Sequence, residues 1–157
     1  MRIDQDIKLD YSDVLIRPKR STLKSRSQVR LERKFTFRNS KHEYEGLPIM
    51  AANMDGVGTF EIADELAQQN MFTCLVKTYS IDELSDYFNE GKEERTKNVA
   101  MSIGTSWDDF DKLTQVCASI GGSANHLRYV CMDIANGYSD HFAQHVRKVR
   151  DAFPNLV

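Results

Sequence analysis

Residues 98–120 read NVAMSIGTSWDDFDKLTQVCASI, and this stretch decides the fold. It begins with a short apolar run, Asn98–Ile103, which is typical of a buried strand. After a polar loop, Ser106-Trp-Asp-Asp109 forms a loose capping box, the signal of a helix N-terminus. Residues at helical spacing then mark one apolar face: Phe110, Leu113, Cys117 and Ile120. The stretch therefore predicts a buried strand, a polar loop and an amphipathic helix.

This unit of strand, loop and helix occurs four times in succession. The predicted strands, which begin 25, 26 and 31 residues apart, are Leu47–Met54, Phe72–Lys77, Asn98–Ile103 and Tyr129–Ala135. A capping box at Ser80-Ile-Asp-Glu83 announces the second helix, and Gly121-Gly122-Ser123 predicts the end of the third. The fourth helix begins near Ser139 and carries one apolar stripe of Phe142, Val146, Val149 and Phe153. Apolar strands followed by one-sided helices predict a parallel sheet under a helical layer.

The repeat predicts an α/β fold of the TIM (β/α)8 barrel type, of which the chain holds about the first four βα units. A complete barrel of this type needs about 250 residues. We therefore expect residues 47–157 to be the first half of a barrel, a truncated single domain. A small open parallel α/β sheet is the alternative, although no Gly-rich phosphate turn follows the first predicted strand.

Residues 1–46 precede the repeat and are predicted to form an N-terminal arm that covers one end of the barrel. Within the arm, apolar residues alternate with polar ones as in a half-buried strand: Val29, Leu31, Phe35 and Phe37. From Arg17 to Lys34 the arm has eight basic residues and only Glu32 as an acidic one. Such a run is typical of a solvated face, and less often of a phosphate-binding segment.

Composition narrows the class of protein. The 157 residues are 41% apolar, enough for a core, and the formal charge is 21 − 23 = −2. This charge does not favour binding to nucleic acid as a partner. Three cysteines without CxxC spacing favour a reducing compartment. Because the N-terminus is too polar for a signal peptide and no apolar run could span a membrane, we expect a cytoplasmic protein without a membrane partner.

Two charged residues stand at the carboxyl ends of predicted strands, where parallel α/β folds collect their reactive groups. Lys77 follows the apolar run Thr-Cys-Leu-Val, and Asp133 follows Tyr-Val-Cys-Met. Both flank the third strand, within reach of a lysine side chain. Such a pair could hold a polar ligand group or relay a proton, and it could equally be a structural ion pair. The spacing of the residues leaves both readings open.

Metal binding is not predicted. His141 and His145 stand four residues apart, as in a zinc-binding helix, but no third ligand lies near them in the sequence. On an amphipathic outer helix we expect both histidines to face solvent.

Four motifs together resemble the GMP reductase branch of the IMP dehydrogenase/GMP reductase family. They are residues 13–26, Ala52-Asn-Met-Asp55, Ser102-Ile-Gly-Thr-Ser106 and Asp133-Ile-Ala-Asn-Gly-Tyr-Ser139. The resemblance runs across the whole chain. It implies an oxidoreductase of purine nucleotide salvage that reduces GMP to IMP and ammonia with NADPH as its cofactor. It further implies a barrel enzyme that assembles as a homotetramer.

The resemblance also implies roles for single residues. Lys77 and Asp133 match catalytic positions near the nicotinamide and the reacting purine carbon, and they bind the cofactor as well. Ile134 and Ala135 match a stretch that lines the cofactor. Ser25 and Arg26 match arm positions that reach the adenosine end of NADPH in a neighbouring subunit. A guanidinium suits a 2′-phosphate.

An IMP dehydrogenase-like oxidoreductase is the alternative within the same family. That enzyme usually carries an inserted domain after the second strand, whereas about twenty residues separate Lys77 from Asn98 here. The sequence also departs from the reductase pattern at Gly56, usually threonine, and at Thr78, usually histidine.

The family's nucleophilic cysteine belongs to a later loop, and Cys74, Cys117 and Cys131 do not match it. We therefore expect the 157 residues alone to be inactive. An alternative of another class is a noncatalytic fragment that interacts with a partner or complements a second half.

Overall fold

The structure, a computed structural model, describes residues 5–90, 93–120 and 127–157. The predicted turn at Gly121-Gly122-Ser123 therefore lies outside the described residues. The chain divides into two compact units, Met1–Arg30 and Leu31–Val157. The first unit contains two short 3-10 turns, Tyr11–Asp13 and Arg26–Gln28. Side chains cap both turns, because the Asp10 carboxylate accepts from the Tyr11 amide and the Ser25 hydroxyl from the Ser27 amide.

The second unit begins with an antiparallel hairpin of β1 (Arg33–Thr36) and β2 (Glu43–Gly46). An ion pair of 2.8 Å joins Lys34 to Glu43 across the two strands. The predicted half-buried strand at residues 29–37 is wrong in part. Only Arg33–Thr36 is a strand, and all four of its residues are exposed.

A parallel sheet of four strands follows, with the strands adjacent in chain order. They are β3 (Met50–Ala51), β4 (Phe72–Cys74), β5 (Val99–Ile103) and β6 (Tyr129–Met132). Residues at equal height across the last two pairings are Cys74, Ala100 and Tyr129. All four predicted strands are confirmed, although each is shorter than its apolar run.

Helices connect the strands, as each parallel crossover requires. They are α1 (Phe60–Gln68), α2 (Ile81–Glu90), α3 (Glu93–Thr96), α4 (Trp107–Ser119) and α5 (Asp140–Ala152). The predicted caps are confirmed: Ser80 and Glu83 bond reciprocally, as do Ser106 and Asp109. The Ser139 hydroxyl accepts from the Phe142 amide at 3.2 Å and starts α5.

The strands bury their two faces differently. Val99, Met101 and Ile103 of β5 point to the main core, where they meet apolar residues of α2 and α4 such as Phe88 and Leu113. Alternate residues of the strands, namely Phe72, Cys74, Ala100 and Tyr129, point to the opposite face and form a second cluster with Tyr44 of β2. An open groove of about 630 Å³ lies on this second face. The sheet is thus covered by helices on one face and only partly covered on the other.

The hairpin covers the amino ends of the strands. The rings of Phe37 and Phe72 meet that of Tyr129 edge-on, with centroids 5.7 and 4.9 Å away, and Tyr44 contacts Phe72 at 6.0 Å. Phe72 and Tyr129 are the first residues of β4 and β6. The opposite, carboxyl ends of the strands are left to the loops that precede α2, α4 and α5.

The predicted apolar stripe of α5 is wrong at one position. Val146 is 37% exposed, whereas His145 is 7% exposed and lies against the Phe110 ring of α4. The face of α5 that packs inward therefore contains the buried His145 and Val149 with the half-buried Phe142, at a spacing of three and four residues that places them on one side of the helix. The prediction that His145 faces solvent is wrong for the same reason.

Four strand–helix units in parallel order confirm the predicted α/β class. Val157 extends the sheet beside β6, since its amide donates to the Arg128 carbonyl and its carbonyl accepts from the Val130 amide. Within residues 5–90, 93–120 and 127–157 the strands do not close into a barrel. The architecture is therefore that of four consecutive βα units of a barrel, present as an open sheet.

Candidate active site

The predicted site residues of the second unit share one edge of the sheet. Lys77 stands three residues beyond the end of β4, and Asp133 directly follows β6. The Asp133 amide donates to the Ile103 carbonyl at 3.0 Å, which fixes Asp133 beside the end of β5. We call this edge the carboxyl rim. It comprises Lys77–Ser80, Gly104–Ser106 and Asp133–Ser139.

Lys77 and Asp133 are both exposed, and they are not ion-paired with each other in this structure. The ion pairs found among the described residues, with side-chain nitrogen and carboxylate oxygen within 4.0 Å, are Lys8–Asp6, Lys34–Glu43 and Arg95–Asp64. The rim therefore presents one ammonium and one carboxylate to solvent without a direct bond between them.

Asp109 is a charged neighbour of Lys77 that the sequence did not assign to the site. Burial raises the pKa of this carboxyl, but hydrogen bonds from Ser106 and from the Gly104 amide, with the nearby Lys77 ammonium, outweigh it. The net pKa is lowered. The Ser106 hydroxyl donates to the Asp109 carboxylate at 2.5 Å and the Ser106 amide at 3.1 Å. The capping box thus holds the Asp109 carboxylate in place.

Lys112 of α4 also reaches the rim. Its ammonium donates to the Lys77 carbonyl at 2.9 Å and to the Tyr79 carbonyl. Burial lowers the pKa of Lys112, and Asp109 and Glu83 act against that shift. No feature of the sequence distinguishes Lys112 from the other lysines of outer helices. The nearest signal is its position on α4 three residues after the capping carboxylate.

The remaining predicted residues of the rim follow Asp133. Ile134 is half-buried and Ala135 is exposed. The chain then turns, because the Asn136 side-chain oxygen accepts from the Tyr138 amide at 3.0 Å, and α5 begins. Ile134 and Ala135 therefore present a short stretch of backbone next to the Asp133 carboxylate.

Ser25 and Arg26 belong to the other unit. Ser25 caps the turn that begins at Arg26, and its hydroxyl lies 2.9 Å from that of Ser27. Both residues are exposed.

The three cysteines differ in burial and in pKa. Cys74 is buried, and its thiol donates to the Met50 sulfur at 3.4 Å. Its interaction with Cys131, together with burial, raises the pKa of Cys74, whereas the same interaction lowers the pKa of Cys131, which stands two residues before Asp133. Burial raises the pKa of Cys117 to about 11. All three cysteines are free. Among the residues that the structure describes, no three His, Cys, Asp or Glu side chains form a group that could hold a metal ion.

The fold and the carboxyl rim together define a class of protein. It is a parallel α/β protein of the (β/α)-barrel type, with a lysine and an aspartate at the carboxyl ends of its strands. The sequence profile described as "IMP dehydrogenase / GMP reductase domain" matches residues 8–157. The chain therefore belongs to the IMP dehydrogenase/GMP reductase family.

Relatives within this family are about half identical to the chain. GMP reductase 1 of Homo sapiens is 50% identical over 153 residues, which cover 98% of this chain and 43% of the relative. The GMP reductase of Salmonella typhi is 51% identical over 155 residues, with coverage of 99% and 44%. The chain thus spans less than half the length of these curated relatives.

A solved structure shows the same fold. The crystal structure of inosine 5′-monophosphate dehydrogenase from Legionella pneumophila matches with a TM-score of 0.69 at 21% identity, covering 89% of this chain and 39% of that one. This likeness confirms the predicted (β/α)-barrel architecture of the four units. In the described ranges, no helix has the length and apolar character needed to cross a membrane.

Proposed function

We propose that the chain provides the cofactor side of a GMP reductase, an oxidoreductase that converts GMP to IMP and ammonia with NADPH. One observation carries the proposal: the near 50% identity to GMP reductases runs over almost the whole chain, including the rim. The 21% identity to the IMP dehydrogenase of known structure supports only the shared fold. The sequence relation therefore favours the reductase over the dehydrogenase.

The rim offers groups that suit the nicotinamide carboxamide. An amide needs a donor for its oxygen and an acceptor for its NH₂ group. The exposed Lys77 ammonium donates only, and the exposed Asp133 carboxylate accepts only. We propose that these two side chains orient the carboxamide, and that Ile134 and Ala135 line the ring beside it.

NADPH, when bound, supplies the hydride. The residues of this chain then bind, orient and provide protons. Ammonia departs only after its nitrogen gains a proton, and the Lys77 ammonium carries one at the rim. Two charged groups that orient the cofactor would increase the reaction rate, because bound and oriented reactants have already lost the translational and rotational entropy that the reaction costs.

The arm supplies the other end of the proposed cofactor site. Arg26 could form a bidentate contact with the 2′-phosphate that distinguishes NADPH from NADH, and Ser25 could donate a hydroxyl. We propose that this contact is made to a neighbouring subunit within a homotetramer. The same family relation supports a cytoplasmic location and GMP and IMP as the nucleotides bound.

NADPH binding by the 157-residue chain tests the proposal directly. Energy transfer from protein fluorescence to NADPH gives a dissociation constant for the wild type and for Lys77→Ala and Asp133→Asn. We expect both variants to bind about tenfold more weakly, since each loses a hydrogen bond to a charged group. Lys97→Ala is the matched control, because Lys97 precedes β5 and so lies at the amino end of the sheet. Wild-type affinity in both rim variants would contradict the proposal.

Turnover provides the second test. The family's nucleophile does not correspond to Cys74, Cys117 or Cys131, so we expect no GMP-dependent oxidation of NADPH by these 157 residues. Loss of NADPH absorbance is the measurement. Steady oxidation that depends on GMP would show that the chain contains a nucleophile that we have not assigned.

A further inference from the structure

We infer that Lys112 is a positioning residue for Lys77, whose backbone it holds through the carbonyl oxygens of Lys77 and Tyr79. The inference rests on the proposed function of Lys77 but concerns residues that do not touch the cofactor. Lys112 and Asp109 both lie in the first two turns of α4. The helix therefore acts as the support on which the loop after β4 is built.

The first contact is a cross-link between distant parts of the chain. The Lys112 ammonium donates to the carbonyl oxygens of Lys77 and Tyr79, which are 35 and 33 residues earlier in the sequence. These two carbonyls belong to the loop between β4 and α2. The amides of Leu75 and Val76, at the start of this loop, bond to the Ala100 and Gly58 carbonyls. A lysine ammonium has three donors, and here two of them hold the loop backbone, one at Lys77 and one at Tyr79.

The second contact fixes the far side of the same loop. The Tyr79 ring stacks on Phe60 of α1 with centroids 3.9 Å apart, and its hydroxyl accepts from the Phe60 amide at 3.2 Å. Phe60 stacks in turn on Tyr87 of α2 at 4.3 Å. The loop is therefore held between α1 and α4, and Lys112 is the connection on the α4 side.

The third contact is electrostatic. Asp109 stands three residues before Lys112 on α4, and hydrogen bonds from Ser106 hold its carboxylate in place. The Lys77 ammonium contributes to the lowered pKa of Asp109, so the two charges attract each other. An exposed lysine loses rotamer entropy when it binds a ligand. Lys112 restricts the backbone of Lys77, and Asp109 attracts its ammonium. Both effects reduce the entropy that Lys77 loses when a ligand binds.

A double-mutant cycle on NADPH affinity separates positioning from general stabilisation. Lys112→Met removes the ammonium and keeps the length of the side chain. We expect about tenfold weaker NADPH binding for Lys112→Met in the wild-type background. In the Lys77→Ala background we expect no further loss, because Lys112 acts through Lys77. Lys112→Arg restores binding, since a guanidinium can donate to both carbonyls.

Lys148→Met serves as the matched control. Lys148 is a half-buried lysine of α5 whose ammonium lies over the Trp107 and Phe110 rings, 3.6 and 3.5 Å from their centroids. We expect this variant to bind NADPH as the wild type does. An equal loss for Lys112→Met in the presence and absence of Lys77 would overturn the inference and assign Lys112 a structural role only.

A second readout does not depend on cofactor binding. Amide hydrogen exchange of residues 77–80 should quicken in Lys112→Met and return toward wild-type rates in Lys112→Arg, with β5 unchanged in both. If the wild-type chain does not bind NADPH, the proposed function fails while this measurement still decides the inference. Unchanged exchange at residues 77–80 would refute the positioning role.

Discussion

His145 places a titratable ring inside the contact between α4 and α5. The side chain is 7% exposed, and its Nε2 atom has no hydrogen-bond partner among the described residues. Burial lowers the pKa of His145, and the positive charges of Lys148 and His141 lower it further, against the opposing effect of Asp109. The imidazole is therefore neutral in the folded protein at neutral pH.

This burial predicts a pH dependence of stability with a definite sign. The pKa of His145 is below 6.5 in the folded state and near 6.5 in the unfolded state, so the unfolded chain binds the extra proton. The free energy of unfolding should thus fall as the pH falls below about 6.5, by at most about 1.4 kcal/mol per pH unit for one proton. Urea titrations from pH 7.5 to pH 5 would measure this slope.

His145→Phe should flatten the slope, because phenylalanine keeps the ring contact with Phe110 and cannot titrate. A residual slope is expected from His42, whose pKa burial also lowers. His141→Gln removes an exposed histidine and should keep most of the wild-type slope. If His145→Phe unfolds with the wild-type dependence on pH, the buried imidazole is not the group responsible.

Single residues also show how far the site could be predicted. The sequence placed Lys77 and Asp133 at one edge because strand order and strand ends can be inferred from apolar runs. It did not indicate Asp109 or Lys112, since their roles depend on the direction in which α4 crosses the loop after β4. A capping box predicts the start of a helix, but it does not show which residues from other parts of the chain will interact with its carboxylate.

At the scale of elements, the packing of the loop after β3 against the end of β4 depends on Gly58. The Gly58 carbonyl accepts from the Val76 amide at 2.8 Å, and its own amide donates to the Met54 carbonyl at 2.9 Å. A Cβ atom here would stand 2.3 Å from the Cys74 carbonyl oxygen and 2.9 Å from the Val76 nitrogen. Both are backbone atoms of the β4 segment, which cannot move aside as a flexible side chain can.

Gly58→Ala should therefore lower the free energy of unfolding by about 1–3 kcal/mol, the usual cost of forcing extra volume into a packed site. Urea unfolding followed by circular dichroism would measure the loss. Gly137→Ala is the control, because a Cβ there would meet only the Phe142 ring at an ordinary 3.8 Å. Equal stability of the two variants would show that the loop after β3 accommodates a methyl group at Gly58 at no cost.

The elements themselves were predicted better than their ends. Apolar runs located all four strands, and the serine caps located the starts of α2, α4 and α5. The runs exceed the strands because residues such as Val76 bond to a loop and not to the neighbouring strand: its amide donates to the Gly58 carbonyl, a contact that the sequence cannot reveal. On α5 the stripe predicted through Val146 passes through His145, since a helix face is set by the partner helix and not by hydropathy alone.

The whole molecule is organised around the second unit. Both hydrophobic clusters lie wholly within Leu31–Val157. The predicted arm of residues 1–46 therefore includes a hairpin that contributes Tyr44 to one of these clusters. Tyr44 is 6% exposed, its hydroxyl donates to the Leu47 carbonyl at 2.6 Å, and its ring contacts Phe72.

A pair of deletions tests where the independent unit begins. Residues 31–157 keep both clusters, so we expect them to unfold cooperatively with a free energy of unfolding within about 0.5 kcal/mol of that of the whole chain. Residues 47–157 lose Tyr44 and should lose at least about 3 kcal/mol, the usual cost of removing a buried aromatic ring. Urea unfolding of the three chains gives both values. If residues 31–157 fail to unfold cooperatively while the whole chain does so, the first unit is part of the stable fold. In that case residues 1–46 cannot be removed without loss of stability either.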